Sequence, residues 1–172
     1  MAKNPAARKH SSFYDEAIIH QEPAMRALAA LLFVLLLWPL SAMAADTRLA
    51  DPKPSWDNPR KIVLQLNSDE PRHANNVLYN AVNLQKFYGQ DNVKVVIVAY
   101  AGGVRALLSG SSPVADRVAS LQSYDVEFLA CGNTLDTIGR KAADLLPGVG
   151  VVTAGIAEIV ERQLQGWQTV AP

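Results

Sequence analysis

From Lys61 onward, short apolar runs alternate with longer stretches in which apolar residues return at helical spacing. Ile62-Val63-Leu64-Gln65-Leu66 is β-branched and bounded by Asn67-Ser68-Asp69, which predicts a buried strand. Asp69 or Ser68 then caps a helix with Pro71 in its first turn. Val77, Leu78, Ala81, Val82, Leu84 and Phe87 carry that helix to Gly89. Val93 to Tyr100 predicts a second strand, and Ala101-Gly102-Gly103 turns the chain into a short helix around Val104 to Leu108. Pro113 opens a helix containing Val114, Val118 and Leu121. Val126 to Ala130 is the third strand, Cys131-Gly132-Asn133 ends it, and a helix is expected from about Thr134 to Leu145. Val149 to Val152 is a fourth strand, about Ile156 to Gln165 a last helix, and Trp167 to Val170 a short fifth strand. Strands that alternate with helices and are apolar on both faces predict an α/β fold, with a four- to five-stranded parallel sheet covered by helices on each side.

The chain before Lys61 follows a different pattern. Ala27 to Leu40 is uncharged, Arg26 precedes it, and Ala42-Met43-Ala44 follows. A basic flank, an apolar run of that length and an A-x-A ending predict a secretory signal peptide over residues 25–44, cut after Ala44. The alternative is a retained membrane anchor, because the uncharged run to Ala45 is just long enough to span a bilayer. Residues 1–24 do not fit a signal peptide; Met25-Arg26 makes an ordinary start, and the upstream stretch reads as an extension that is not translated or, if the anchor is retained, as a disordered cytoplasmic tail. Residues 45–60 carry three prolines and no apolar period, hence a linker or arm, and residues 61–172 form the domain.

Composition narrows the function classes. Sixteen Lys+Arg balance sixteen Asp+Glu, which excludes a strongly basic nucleic-acid binder. With 49% hydrophobic residues the chain is not wholly disordered. One cysteine excludes an intrachain disulfide and a cysteine-based zinc cage. No cofactor motif is present: neither G-x-G-x-x-G nor a G-K-[ST] ending occurs, which argues against a nucleotide-dependent enzyme.

In a parallel sheet, ligands sit at the carboxyl ends of the strands. Three segments meet that condition: Ser68 and Asp69 after the first strand, Gly102 and Gly103 after the second, and Cys131, Gly132 and Asn133 after the third. Cys131 is the candidate nucleophile. It lies between a strand and a helix N-terminus whose free N–H groups favour a thiolate, or the terminal sulfur of a persulfide. Asn133 is a good N-cap in this reading, and Asp136 three residues later completes a weaker capping box. Gly132 leaves the sulfur unshielded, and Gly102-Gly103 offers backbone N–H groups to an anion. The competing reading is a small, structural core cysteine.

These residues resemble the DsrE/DsrF/TusD superfamily of sulfur-relay proteins, with a closer likeness to its exported DsrE-like members. The segments that carry the resemblance are KIVLQLNSDEP, NAVNLQKFYG, VVIVAYAGGVRALL, VEFLACGNTLDTIG and LLPGVGVVTAGIAEIVERQLQGW. The resemblance implies a three-layer α/β/α sandwich with a mostly parallel five-stranded sheet. It also implies sulfur carried as a persulfide on Cys131, protein or small-molecule sulfur donors and acceptors, and a trimer or hexamer. The tRNA and sulfite-reductase pathways of cytoplasmic relay members are not implied.

Weaker candidates surround this core. His73, the only histidine after the signal segment, is either an acid/base partner for Cys131 or a solvated side chain. Asn76, Asn80 and Asn83 form a polar stripe suited to solvent or a subunit contact, and Trp56 and Trp167 are candidates for packing at an interface. Two function classes compete: an exported persulfide carrier or sulfurtransferase, and a ligand-binding or scaffold protein with a structural cysteine. A hydrolase or redox enzyme is disfavoured, since no G-x-S-x-G, C-x-x-C or histidine-rich metal set occurs.

Overall fold

The computed structural model describes residues 46–172. Residues 1–24 and 25–44, where an extension and a signal peptide are expected from the sequence, lie outside the described residues, and among those described no helix is long and apolar enough to cross a membrane. Five strands form one sheet: β1 (Arg60–Leu66), β2 (Val93–Ala99), β3 (Glu127–Cys131), β4 (Gly150–Val152) and β5 (Gln168–Val170). Their spatial order is β4-β3-β2-β1-β5, and every pairing is parallel. The α/β architecture expected from the sequence is therefore observed, with the fifth strand in place and the sheet wholly parallel.

The two sheet faces are covered unequally. On one face lie helices α1 (Pro71–Tyr88), α2 (Ala115–Gln122) and α3 (Gly132–Thr137), with a 3-10 segment over Ala101–Leu107. Their apolar residues close over Leu64, Leu66, Ile97 and Phe128 in one continuous core. The other face is covered by α4 (Gly155–Leu164). Ile159 of that helix seals a smaller cluster of Val63, Val96, Val98 and Leu129. The alternation of strand side chains assigns the faces: Val63 and Leu64 are adjacent in sequence and belong to different clusters.

Helix boundaries differ from the sequence expectation in three places. The N-cap of α1 is Glu70, not Asp69 or Ser68; its carboxylate accepts from the N–H groups of Arg72, at 3.0 Å, and His73, at 2.6 Å. Pro71 stands at the first helical position, where no N–H is needed, which moves the cap to the residue before it. The helix expected over residues 134–145 ends at Thr137. Gly139 takes φ +65°, and the amides of Gly139 and Arg140 turn back onto the carbonyls of Asp136 and Leu135. That is a Schellman termination, and it needs a residue that accepts a left-handed backbone. Third, the N-cap of α3 is Cys131 rather than Asn133, which sits inside the first turn.

The glycine pair after β2 is a packing device. A Cβ on Gly103 would stand 1.9 Å from the carbonyl oxygen of Leu66, so the 3-10 segment can pass the end of β1 only without a side chain there.

Candidate functional site

The site follows from a change of side in the connections. The chain leaves β3 into α3 on the thick face and leaves the neighbouring β4 into α4 on the thin face. Adjacent strands whose helices depart to opposite faces leave a crevice beyond their carboxyl ends. Cys131, the last residue of β3, lies at that crevice. The two connections are stitched together by the Asn133 N–H, which donates to the Thr153 carbonyl at 3.0 Å. They also approach closely, since a Cβ on Gly132 would lie 3.1 Å from the Val152 carbonyl oxygen.

Cys131 is 7% exposed and is a free thiol. Burial pushes its pKa up, but hydrogen bonding outweighs burial and holds the thiol below its usual value. The donors, from strongest to weakest, are the Gly155 N–H, the Thr134 hydroxyl, the Thr134 N–H and the Asn133 N–H. Gly155 is the first residue of α4, and the glycine packs directly on the cysteine. A Cβ there would lie 3.2 Å from Cys131 Cβ and 3.1 Å from Tyr100 Cβ. Although Cys131 is the N-cap of α3, its side chain makes no capping hydrogen bond, and the Asn133 amide already has its carbonyl partner. Gly155 at the start of α4 is thus the largest single group favouring the thiolate, ahead of each of the three groups of the α3 turn on which the sequence argument rested.

The other residues singled out in the sequence fall into two groups. Gly132 and Asn133 adjoin Cys131. Gly102 instead packs on the β1 connection: a Cβ there would lie 3.2 Å from the Asn67 carbonyl and 3.4 Å from Ser68 Cα. Ser68 Oγ accepts the Glu70 N–H at 3.2 Å, Asp69 is exposed, and the Gly103 N–H donates to the Tyr100 carbonyl at 3.0 Å. That last bond leaves the Gly103 amide unavailable to an anion. His73 is not among the groups acting on the sulfur; its Nε2 is buried without a hydrogen-bond partner. Trp56 is 79% exposed, whereas Trp167 packs under the Arg162 guanidinium at 4.7 Å on the thin face.

Sequence reasoning missed Thr134, Gly155 and Tyr100. Each lies at the carboxyl end of a strand or in the turn after it, so the strand-end rule could have found them; Gly155 in VVTAGI was the clearest signal. Among the described residues, no cluster of three His, Cys, Asp or Glu side chains is placed to hold a metal ion. A cleft of about 430 Å³ runs between α1 and α2 beside Val82, Lys86, Arg117 and Tyr124 and does not include Cys131.

Residues 61–172 match the DsrE/DsrF-like family, and the chain belongs to that family. A protein of unknown function from Methanobacterium thermoautotrophicum, MTH1491, is 34% identical, with a TM-score of 0.63. The alignment covers 66% of this chain and 99% of that one. The ychN protein of E. coli (17% identity, TM-score 0.56) is covered over 99% of its length and 66% of this chain. A conserved protein of unknown function from Bacteroides thetaiotaomicron, BT1422, aligns at 16% identity and TM-score 0.54, over 65% of this chain and 94% of its own. At those identities the last two show the shared fold. A search of curated proteins returned no match.

Proposed function

We propose that the protein is an exported sulfur carrier that holds sulfur as a persulfide on Cys131. The observation that supports this most is the sulfur's position at the β3–β4 crevice, where Gly155 and Thr134 favour the thiolate over the thiol. The chemistry needs no cofactor. The Cys131 thiolate attacks the outer sulfur of a donor persulfide, forming a new S–S bond. The bond between that sulfur and the donor breaks, and the donor leaves as its own thiolate. Delivery repeats the exchange: an acceptor thiolate takes the outer sulfur and Cys131 departs as the thiolate that its amide donors stabilise. Electrons balance at each step, so no external oxidant or reductant enters.

The partners in this reading are sulfur donor and acceptor proteins or small sulfur compounds. The segment over residues 25–44 acts as a cleaved signal, so the mature protein begins at Ala45 and works outside the cytoplasm. Self-association as a trimer or hexamer belongs to the same reading. It is supported by Ile156, Val160 and Leu164, one turn apart on the outer side of α4 and 54%, 46% and 78% exposed.

The test is intact mass after incubation with polysulfide. One added sulfur (about 32 Da) mapping to Cys131, reversed by reductant and absent from Cys131→Ser, supports the proposal. A second reading, a structural cysteine on a scaffold, is favoured by the low exposure of Cys131 and its place in the core. Resistance of the native thiol to iodoacetamide until the protein unfolds would select that reading.

A further inference from the structure

We propose that the cleft between α1 and α2 binds a small amphipathic carboxylate, an organic acid with an apolar body, and that Arg117 takes its carboxylate. The inference is independent of the chemistry at Cys131, which lies outside this cleft.

The cleft encloses about 430 Å³, within the range of about 300–1,000 Å³ usual for sites that hold small molecules. Leu121 is buried and Val82 half-buried, and together they give it an apolar floor. Gln85 fixes one wall, because its Nε2 donates to the Tyr124 carbonyl at 2.6 Å and ties α1 to the turn after α2. An apolar body gains by leaving water here, and the walls are set before it arrives.

The charged groups on the cleft are of one sign. Arg117 and Lys86 line it and no carboxylate does, although the chain as a whole carries equal numbers of acidic and basic residues. Arg117 is half-buried and held in place without being neutralised. Its Nη1 donates to Asn75 Oδ1, and its guanidinium lies over the Tyr79 ring, 3.9 Å from the centroid. Both partners belong to α1, and both are neutral side chains. Arg162 shows the contrasting case of an arginine satisfied within the fold, since it pairs with Glu158 at 2.6 Å and Glu127 at 3.0 Å. A guanidinium has five N–H donors, and among the described residues Arg117 spends one of them in a hydrogen bond. The rest of its planar fork matches the two oxygens of a carboxylate. Apolar walls on the other side of that pair would screen it less than open water does.

The probe is 4-phenylbutyrate, titrated calorimetrically into the folded mature protein, with 4-phenylbutanol as its uncharged counterpart. One 4-phenylbutyrate per chain should bind with a Kd below about 1 mM, and 4-phenylbutanol about tenfold more weakly. Arg117→Gln should weaken 4-phenylbutyrate about tenfold and leave 4-phenylbutanol nearly unchanged. Ser120→Trp, which places a ring at an exposed position of the lining, should weaken both. It also serves as the second variant should Arg117→Gln fold poorly, which thermal unfolding would show. Three results each overturn the proposal. One is the absence of saturable binding up to about 10 mM. Another is unchanged 4-phenylbutyrate affinity in either folded variant. The third is protection of Cys131 from iodoacetamide by the probe, which would move the ligand to the β3–β4 crevice.

Discussion

The two faces of the sheet divide the work of the molecule. The thick face buries Phe128, Leu64, Leu66, Ile97 and the inner sides of α1 and α2, and burial of that kind carries most of a small domain's stability. The thin face has one helix and a handful of buried side chains, yet the first residue of that helix supplies the strongest donor to the Cys131 sulfur. A thiol set between a heavily packed layer and a lightly packed one has a rigid side to fix its geometry. It also has an opposite side that a small perturbation can move.

Substitutions on the two faces should separate these contributions. The largest effect is expected from Gly103→Ala, whose methyl would meet the Leu66 carbonyl at less than contact distance. A loss of about 5 kcal/mol, or no folded protein, should be seen by urea denaturation. Next comes Phe128→Ala on the thick face, about 3–5 kcal/mol, with native-state alkylation of Cys131 changed only as far as global unfolding allows.

Ile159→Ala on the thin face should cost less, about 2–3 kcal/mol, and yet accelerate alkylation of the folded protein by loosening the start of α4. Equal alkylation rates in the two variants under native conditions would remove the distinction between the faces.

A smaller effect depends on pH. The folded thiol lies below its ordinary value, and the unfolded one lies near ~8.5. The folded state therefore releases its proton first. The wild type should gain stability over Cys131→Ser as pH rises through the folded pKa toward the unfolded one. The gain should hold above that and vanish as pH falls back through the folded pKa. A difference in stability that is flat across this range would mean the amides do not favour the thiolate.

The smallest expected change in stability comes from the outer side of α4. Ile156→Ser, Val160→Ser and Leu164→Ser should each shift the monomer's stability by only about 0.5 kcal/mol. The triple variant should instead lose self-association in light scattering; an unaltered assembly mass would place the contact elsewhere.

The order of elements, the parallel sheet and the position of Cys131 at a strand end were legible in the sequence. They depend on local period and on turn residues, which act over a few neighbours: VKVVIVA is short and rich in β-branched residues, which favours a buried strand over a helix, and Gly89 closes the helix before it. Helix ends were less legible, because a cap depends on which side chain reaches which amide. Glu70 displaced Asp69 once Pro71 fixed the first turn, and Gly139 cut α3 short by a backbone conformation that sequence period does not encode. What only the tertiary structure decided is the environment of the sulfur. Gly155 lies far along the chain from Cys131, and no spacing rule links them. They meet because β4 pairs with β3 and sends its helix to the opposite face, and because neither Gly155 nor Gly132 has a side chain to hold the connections apart. The sequence marked the cysteine; long-range strand pairing brought it the Gly155 amide, the group that does most to lower its pKa.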